Sequence, residues 1–442
     1  MLDMKCGIFE GVEQAVQASR NAFAGFSSFL VKERIDLIND LRIRLLKHAE
    51  ELSVMEREET AMGIAEDKKI QILRAISGTP GPGFVKQDVR SDEEGLTLEE
   101  TYPFGVCCAV HPVNHPVASI INSCIMLLSA GNSVINLIPR RAENVGTYTV
   151  RLINQYIYEI CGLSNLAVCM EKSRYEYNRG LMEHPDVALI MVTGGNDIVN
   201  TALSFRKRVI AAGSSNPVVI VDEDCDVEYA ARLILEDICF DNNLLCTSEK
   251  SAVVHTGILY EFIEWLSRKG VMMLDSCQAD RLLAAVFKED FQEVRREFIG
   301  KSAEEILSAA GIRDIPAGEI KAIAFETEVI SPFVIQEVAA PILPIVRADS
   351  FEEAVLLAAY IEQGRNHTAA VFSNNVHRLS AASRLIPTCI FIKNGSTLYG
   401  AGIKGNSPVT FTVANISGEG PVTPEHLVRH RNCILANSFE RR

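Results

Sequence analysis

Val106-Cys107-Cys108-Ala109-Val110, a run opened by Pro116 and closed by Gly131-Asn132, and Val134-Ile135-Asn136-Leu137-Ile138 decide the fold class of this chain. The first and last runs are short, apolar and partly β-branched, as buried strands are. Pro116 suits the first turn of a helix, where its missing N–H costs nothing, and Gly131-Asn132 ends that helix. Residues 117–138 form the most apolar window, but Ser119, Asn122, Ser123, Ser129, Gly131, Asn132 and Ser133 interrupt it. A membrane span would not carry so many polar groups. The unit therefore reads as strand, buried helix, turn and buried strand.

Outward from this unit the theme repeats. Residues 142–161 read as a helix, 165–169 and 187–192 as strands, and Thr193-Gly194-Gly195-Asn196-Asp197 opens a helix. Residues 209–212 and 218–221 are strand-like. A helix over 227–241, a strand over 251–256 and mostly helical stretches at 258–270 and 278–310 follow. The Pro-punctuated strand 341–346, a helix at 351–363 and strands at 368–372 and 389–393 complete a second unit. Alternation at this spacing predicts an α/β chain with parallel, doubly wound sheets. Before it, residues 10–62 read as amphipathic helices, with Ile35, Ile38, Leu41, Leu45, Ala49 and Leu52 at helical spacing. Gly78-Thr79-Pro80-Gly81-Pro82-Gly83 is a loop without a phosphate role, because no strand precedes it. Residues 87–103 read as an extended ribbon turning at Ser91-Asp92-Glu93-Glu94-Gly95.

At 442 residues the chain is long enough for two or three domains. Its 43 basic and 57 acidic residues give a net charge of −14, which excludes a broad nucleic-acid surface. The twelve cysteines contain no C-x-x-C pair and no metal-type Cys/His spacing, so no metal is expected. Reduced thiols in a cytoplasmic protein are the plain reading.

One thiol stands apart. Phe240-Asp241-Asn242-Asn243-Leu244-Leu245-Cys246-Thr247-Ser248-Glu249-Lys250 sets Cys246 in an amide-rich loop just before a strand. Polar neighbours and a following Lys favour a lowered thiol pKa; the plainer alternative is a small buried hydrophobe. This segment resembles the active-site segment of CoA-acylating aldehyde dehydrogenases, above all those of ethanolamine- and propanediol-type bacterial microcompartments that act on acetaldehyde or propionaldehyde. The resemblance covers nearly the whole chain. It implies a Rossmann-type cofactor domain over 1–213, carrying an oligomerisation ribbon at 87–103. A second α/β, catalytic domain would span 214–408, and a C-terminal segment, 409–442, would return to the cofactor domain and the subunit interface. Cys6-Gly7-Ile8-Phe9 resembles the start of the shared body, leaving almost no room for an amphipathic N-terminal targeting peptide.

The same resemblance implies roles. Cys246 would add to an aldehyde and carry the acyl group as a thioester. Asn114, in His111-Pro112-Val113-Asn114-His115-Pro116, and the Cys246 N–H would hold the oxyanion; alternatively Asn114 only caps the following helix. Acylating relatives usually read Thr-Asn-Pro here, whereas Asn114-His115-Pro116 has the spacing of hydrolytic aldehyde dehydrogenases. His115 would line the substrate tunnel or simply pack. Thr193-Gly194-Gly195 would seat the cofactor pyrophosphate at a helix N-terminus, or be a bare turn. Glu337, in Gln336-Glu337-Val338-Ala339-Ala340-Pro341, would hold the nicotinamide ribose, or be a surface carboxylate. Arg140 and Arg141 stand where relatives have Lys-Pro, and would face the 2′-phosphate of NADP or only solvent.

Hydrolytic relatives carry Glu-Leu-Gly-Gly where this chain reads Ile210-Ala211-Ala212-Gly213-Ser214-Ser215-Asn216-Pro217, without a carboxylate to activate water. A thioester there would wait for the thiol of CoA. His367, in Gly364-Arg365-Asn366-His367-Thr368-Ala369-Ala370, would be the base for that transfer, with an unperturbed imidazole suiting the task, or a structural imidazole. Lys393-Asn394-Gly395 and Ser417-Gly418-Glu419-Gly420 match family landmarks as loop architecture. Gly405-Asn406-Ser407 departs from the family's Gly-Glu-Gly. The expectation is a short-chain aldehyde, CoA and NAD or NADP giving acyl-CoA, in a homodimer or homotetramer, in the cytoplasm or a microcompartment. The alternatives are a hydrolytic or semialdehyde dehydrogenase giving free acid, and a non-catalytic scaffold of the same fold.

Overall fold

The computed structural model describes residues 7–313, 319–437 and 439; Cys6 of the N-terminal Cys6-Gly7-Ile8-Phe9 segment lies outside them. Two parallel sheets organise the chain. The first runs in the spatial order Ile8–Phe9, Ala167–Met170, Ser133–Leu137, Val106–Val110, Val187–Thr193, Arg208–Ala212. Val106–Val110 is central, paired with Ser133–Leu137 on one side and Val187–Thr193 on the other. Both Val106–Val110 and Ser133–Leu137 are buried at every position, which is why they read as unbroken apolar runs. The helix between them, Pro116–Ser129, is buried along its whole length.

The second sheet runs Val271–Met273, Ala322–Glu326, Ile342–Ala348, Ser251–His255, Val218–Val221, Thr368–Phe372, Ile390–Lys393. All its pairings are parallel. A separate antiparallel ribbon is made by Asp88–Asp92, Gly95–Pro103 and Val428–Ala436. It turns where Asp92 accepts the N–H groups of Glu94 and Gly95 at 2.9 and 3.1 Å, a side-chain-closed turn that Asp favours.

Two departures from the sequence reading matter. Residues 278–310 are not mostly helical: only Ser276–Val286 and Ala303–Ala309 are helices. Between them lie charged turns and the short helical turn Arg296–Phe298. Charged residues in this region imitate an amphipathic pattern, but the backbone turns back at Phe291, whose φ is +54°. The strands Val271–Met273, Ala322–Glu326 and Val428–Ala436 were not foreseen. Val271–Met273 has three residues and Val428–Ala436 is mostly exposed, so neither carries a strong apolar signal, whereas Ala322–Glu326 is buried at four of five positions and only its two alanines weaken its strand propensity.

Candidate active site

A cavity of about 520 Å³ opens between the two sheets. The first sheet lines it with Val110, Leu137, Thr193 and Ala212, each the last residue of its strand. Open α/β sheets bind ligands at this carboxyl edge. The second sheet meets it with its amino edge: Cys246 precedes Ser251–His255, and His367 immediately precedes Thr368–Phe372. Asn114, His115, Gly194, Gly195 and Glu337 complete the wall. Seven expected residues, Cys246, Asn114, His367, Thr193, Gly194, Gly195 and Glu337, thus face one space although up to 253 positions separate them (114 to 367).

Arg140 is not among them. It lines a neighbouring concavity of about 840 Å³ with Lys172 and Arg174, which shares Pro139 and Asn178 with the first. Arg141 is committed elsewhere: its guanidinium donates to the Thr60 carbonyl at 2.8 Å.

The loop that delivers Cys246 has an uncommon backbone. Asp241, Asn242 and Asn243 all have positive φ, +50°, +54° and +59°. Asp and Asn are the non-glycine residues that best tolerate this region, so the amide-rich composition follows from the turn. Lys250 holds its far side. The buried ammonium donates to the Asn243 carbonyl at 2.6 Å, the Asn243 Oδ1 at 2.7 Å and the Leu245 carbonyl at 3.0 Å. Across the cavity, Asn114 Nδ2 donates to the Leu244 carbonyl at 2.9 Å. One amide proton of Asn114 therefore ties it to the Cys246 loop, and the other remains for a ligand.

Two electrostatic expectations are overturned. The Cys246 thiol is not lowered but pushed up to about 12, by burial first and by Glu337 second, with Lys250 opposing. Its polar sequence neighbours do not solvate it, because Thr247, Ser248 and Glu249 are themselves buried. The His367 imidazole is not unperturbed: burial, then the Lys250 charge, lowers it to about 3. Its Nδ1 lies 2.9 Å from the Thr368 hydroxyl. Burial likewise holds His115 near 3; its Nδ1 meets the Ser119 hydroxyl at 2.8 Å and its ring packs on Phe411. Both rings are neutral throughout the physiological range.

The cavity fits a nucleotide cofactor. Gly195 is the residue before helix Asn196–Leu203, and a Cβ placed there would meet no atom within 4 Å, leaving open room at a helix N-terminus. Glu337 is the carboxylate among the lining residues, and Ser215 orients it: Oε2 accepts the Ser215 N–H at 3.1 Å and Oε1 its hydroxyl at 2.8 Å, leaving each oxygen a further lone pair. Residues 210–217 bring no carboxylate of their own. Ser215, Lys250 and Asp241 escaped the sequence reading as functional residues, because each acts through a partner distant in the chain or through backbone carbonyls.

The sequence profile of the aldehyde dehydrogenase family matches residues 4–403. A propanal dehydrogenase (CoA-propanoylating) of Citrobacter freundii is 36% identical over 433 residues, covering 98% of this chain and 93% of that protein. The solved structure of a propionaldehyde dehydrogenase from the Clostridium phytofermentans fucose utilisation bacterial microcompartment superposes with a TM-score of 0.95 at 33% identity, covering 98% of this chain and 99% of that one. A Rhodopseudomonas palustris propionaldehyde dehydrogenase with bound propionyl-CoA gives 0.94 at 36% identity, covering 97% and 95%.

Proposed function

This chain belongs to the aldehyde dehydrogenase family, and from that premise and the geometry of its cavity we infer that it is a CoA-acylating aldehyde dehydrogenase. It converts a short-chain aldehyde, CoA and NAD(P)⁺ to acyl-CoA, NAD(P)H and a proton. The observation that carries this reading is a half-buried thiol, Cys246, on a cavity to which residues 210–217 bring no carboxylate. With no carboxylate on that segment to activate water, the acyl group leaves to a thiol.

In this reading the Cys246 thiol gives up its proton to solvent as its sulfur adds to the aldehyde carbon, forming the thiohemiacetal oxyanion. The free amide proton of Asn114 and the Cys246 N–H receive the developing oxyanion; a single such donor is typically worth about 10²–10³ in rate. Thr193, Gly194 and Gly195 would hold the pyrophosphate, and Glu337 the nicotinamide ribose. Arg140, with Lys172 and Arg174 on the adjoining concavity, faces a further phosphate of the nucleotide. The nicotinamide supplies the hydride acceptor when bound. Loss of hydride leaves a thioester on Cys246. The CoA sulfur then attacks it, the CoA proton passes to the neutral Nε2 of His367, and the Cys246 sulfur departs. Neutral His367 has a lone pair for that proton, but held near 3 it is a weak base, so the proton passes straight on to the departing Cys246 sulfur and is not kept on the ring.

We assign residues 1–213 to cofactor binding, with the ribbon at 87–103, residues 214–408 to catalysis, and 409–442 to a returning C-terminal segment. A homodimer or homotetramer joined through the ribbon, working in the cytoplasm or in a microcompartment like its C. phytofermentans relative, completes the proposal. The test is NADH formation from propanal and acetaldehyde with and without CoA. Formation that depends on CoA, with acyl-CoA as product, supports the reading; equal rates without CoA, with free acid as product, support the hydrolytic alternative instead.

A further inference from the structure

Outside the residues given roles above, one buried cluster touches the catalytic machinery from behind. Lys68, on helix Ala65–Gly78, is 1% exposed, and so is Glu56 on helix Ala49–Thr60. The Lys68 ammonium lies 3.0 Å from Glu56 Oε1 and 3.2 Å from Asp241 Oδ2, and donates to the Asn114 carbonyl at 2.9 Å. It thus hydrogen-bonds Asp241 and Asn114 and pairs by charge with Glu56, on three separate segments. Each partner belongs to something the chemistry needs. Asp241 opens the left-handed turn that leads to Cys246, Asn114 carries the oxyanion amide, and Glu56 Oε2 accepts the Val117 N–H at 3.2 Å, just past the Asn114 loop.

Asp241 is held further. Its Oδ1 accepts the Ile64 N–H at 2.8 Å, its Oδ2 accepts Gln71 Nε2 at 2.7 Å, and its own N–H donates to Asp67 at 2.8 Å. Burial works against a charged Lys68, but Glu56 and Asp241 more than offset it, so the amine stays protonated.

We propose that Lys68 is a positioning residue for the reaction: its ammonium fixes the Asn114 amide opposite the Cys246 loop, so that the oxyanion donors are set before the aldehyde arrives. A cluster serving only to hold the fold would not need its one cation shared between exactly those two loops. With the charge removed, the Asn114 carbonyl loses its donor and Asp241 its counter-ion, and the two loops drift apart. Preorganised donors lose their effect with such displacement, since a misplacement of about 1 Å can cost on the order of 10² in rate. The inference rests on the roles given to Cys246 and Asn114.

The test compares Lys68→Met, Glu56→Gln and Cys246→Ala with the unaltered protein. Turnover is measured per Cys246 titrated with iodoacetamide and identified by peptide mass, alongside NADH binding by fluorescence. The expected result for Lys68→Met is turnover per titrated Cys246 lowered about 10²-fold, with NADH affinity and the KM for NAD⁺ within about threefold, a spread ordinary for context effects. Glu56→Gln keeps the acceptor but loses the charge, and carries the test if Lys68→Met yields no folded protein; it is expected to lower turnover per site about tenfold. Unchanged turnover per titrated site in either folded variant, with Cys246→Ala inactive, overturns the inference. Persistent turnover in Cys246→Ala overturns the reading of the thiol itself.

Discussion

Cys246 and His367 are each held away from their ordinary titration ranges, and the sign of each shift makes a prediction. A thiol raised to about 12 has less thiolate at pH 7–9 than an ordinary cysteine, and its thiolate fraction rises about tenfold per pH unit with no plateau near 8.5. Alkylation of Cys246 by iodoacetamide, followed on its peptide, should therefore climb log-linearly from pH 7 to 9.5 in the free protein. A plateau near pH 8 would mean that the thiol is activated before substrate binds. His367, lowered to about 3, is neutral on both sides of pH 6.5, so it contributes no limb there. Replacing His367 with Gln should leave a single burst of NADH from propanal and CoA, while steady-state turnover falls about 10²-fold. Rapid-mixing absorbance at 340 nm separates the two phases, and a lost burst would place His367 in the first step instead.

At the scale of elements, two glycines separate folding from binding. Gly63 has φ +73°, and a Cβ there would lie 1.9 Å from Asp241 Oδ1. Gly63→Ala should cost about 2–4 kcal/mol, from left-handed strain and the displaced carboxylate, read as a lowered midpoint in urea. Gly195, whose added Cβ would meet nothing, should accept Ala at a cost of about 1 kcal/mol or less, the loss expected at an N-cap. The same change should raise the KM for NAD⁺ about tenfold or more by filling the room left for phosphate.

The difference in how these elements were foreseen is physical. Val106–Val110 and Thr368–Phe372 are buried on both faces and announce themselves as apolar runs. Cys246, Asn114 and Glu337 were legible because their segments resemble a family's. The Lys68 cluster was not, because a buried lysine on the amphipathic helix Ala65–Gly78 reads like any solvated one, and the Lys250 beside Cys246 does not show in sequence that it faces backbone carbonyls. Only the fold reveals their partners, Asn243 for Lys250, and Asp241 for Lys68 at a distance of 173 residues. The raised thiol was illegible for the same reason: polar letters beside a cysteine say nothing of whether water reaches them.

For the whole molecule, the ribbon keeps an edge with no pairing strand among the described residues. Val428–Ala436 is bonded on one edge, to Gly95–Pro103, and exposes Ile434 at 72% and Leu435 at 46%. An exposed edge strand that ends in apolar side chains is a natural place for another copy to add. Ile434→Asp should leave the unfolding of the single chain nearly unchanged and lower the assembled mass in sedimentation, whereas an unchanged mass would remove the ribbon from the interface. No helix among the described residues is long and apolar enough to cross a membrane. The measurement that bears most directly on the function is product analysis of propanal oxidation by the intact protein. With NAD⁺ and CoA present, propanoyl-CoA should form in step with NADH, and without CoA the reaction should stop near one NADH per Cys246. Propanoate released at the same rate with or without CoA would contradict the account.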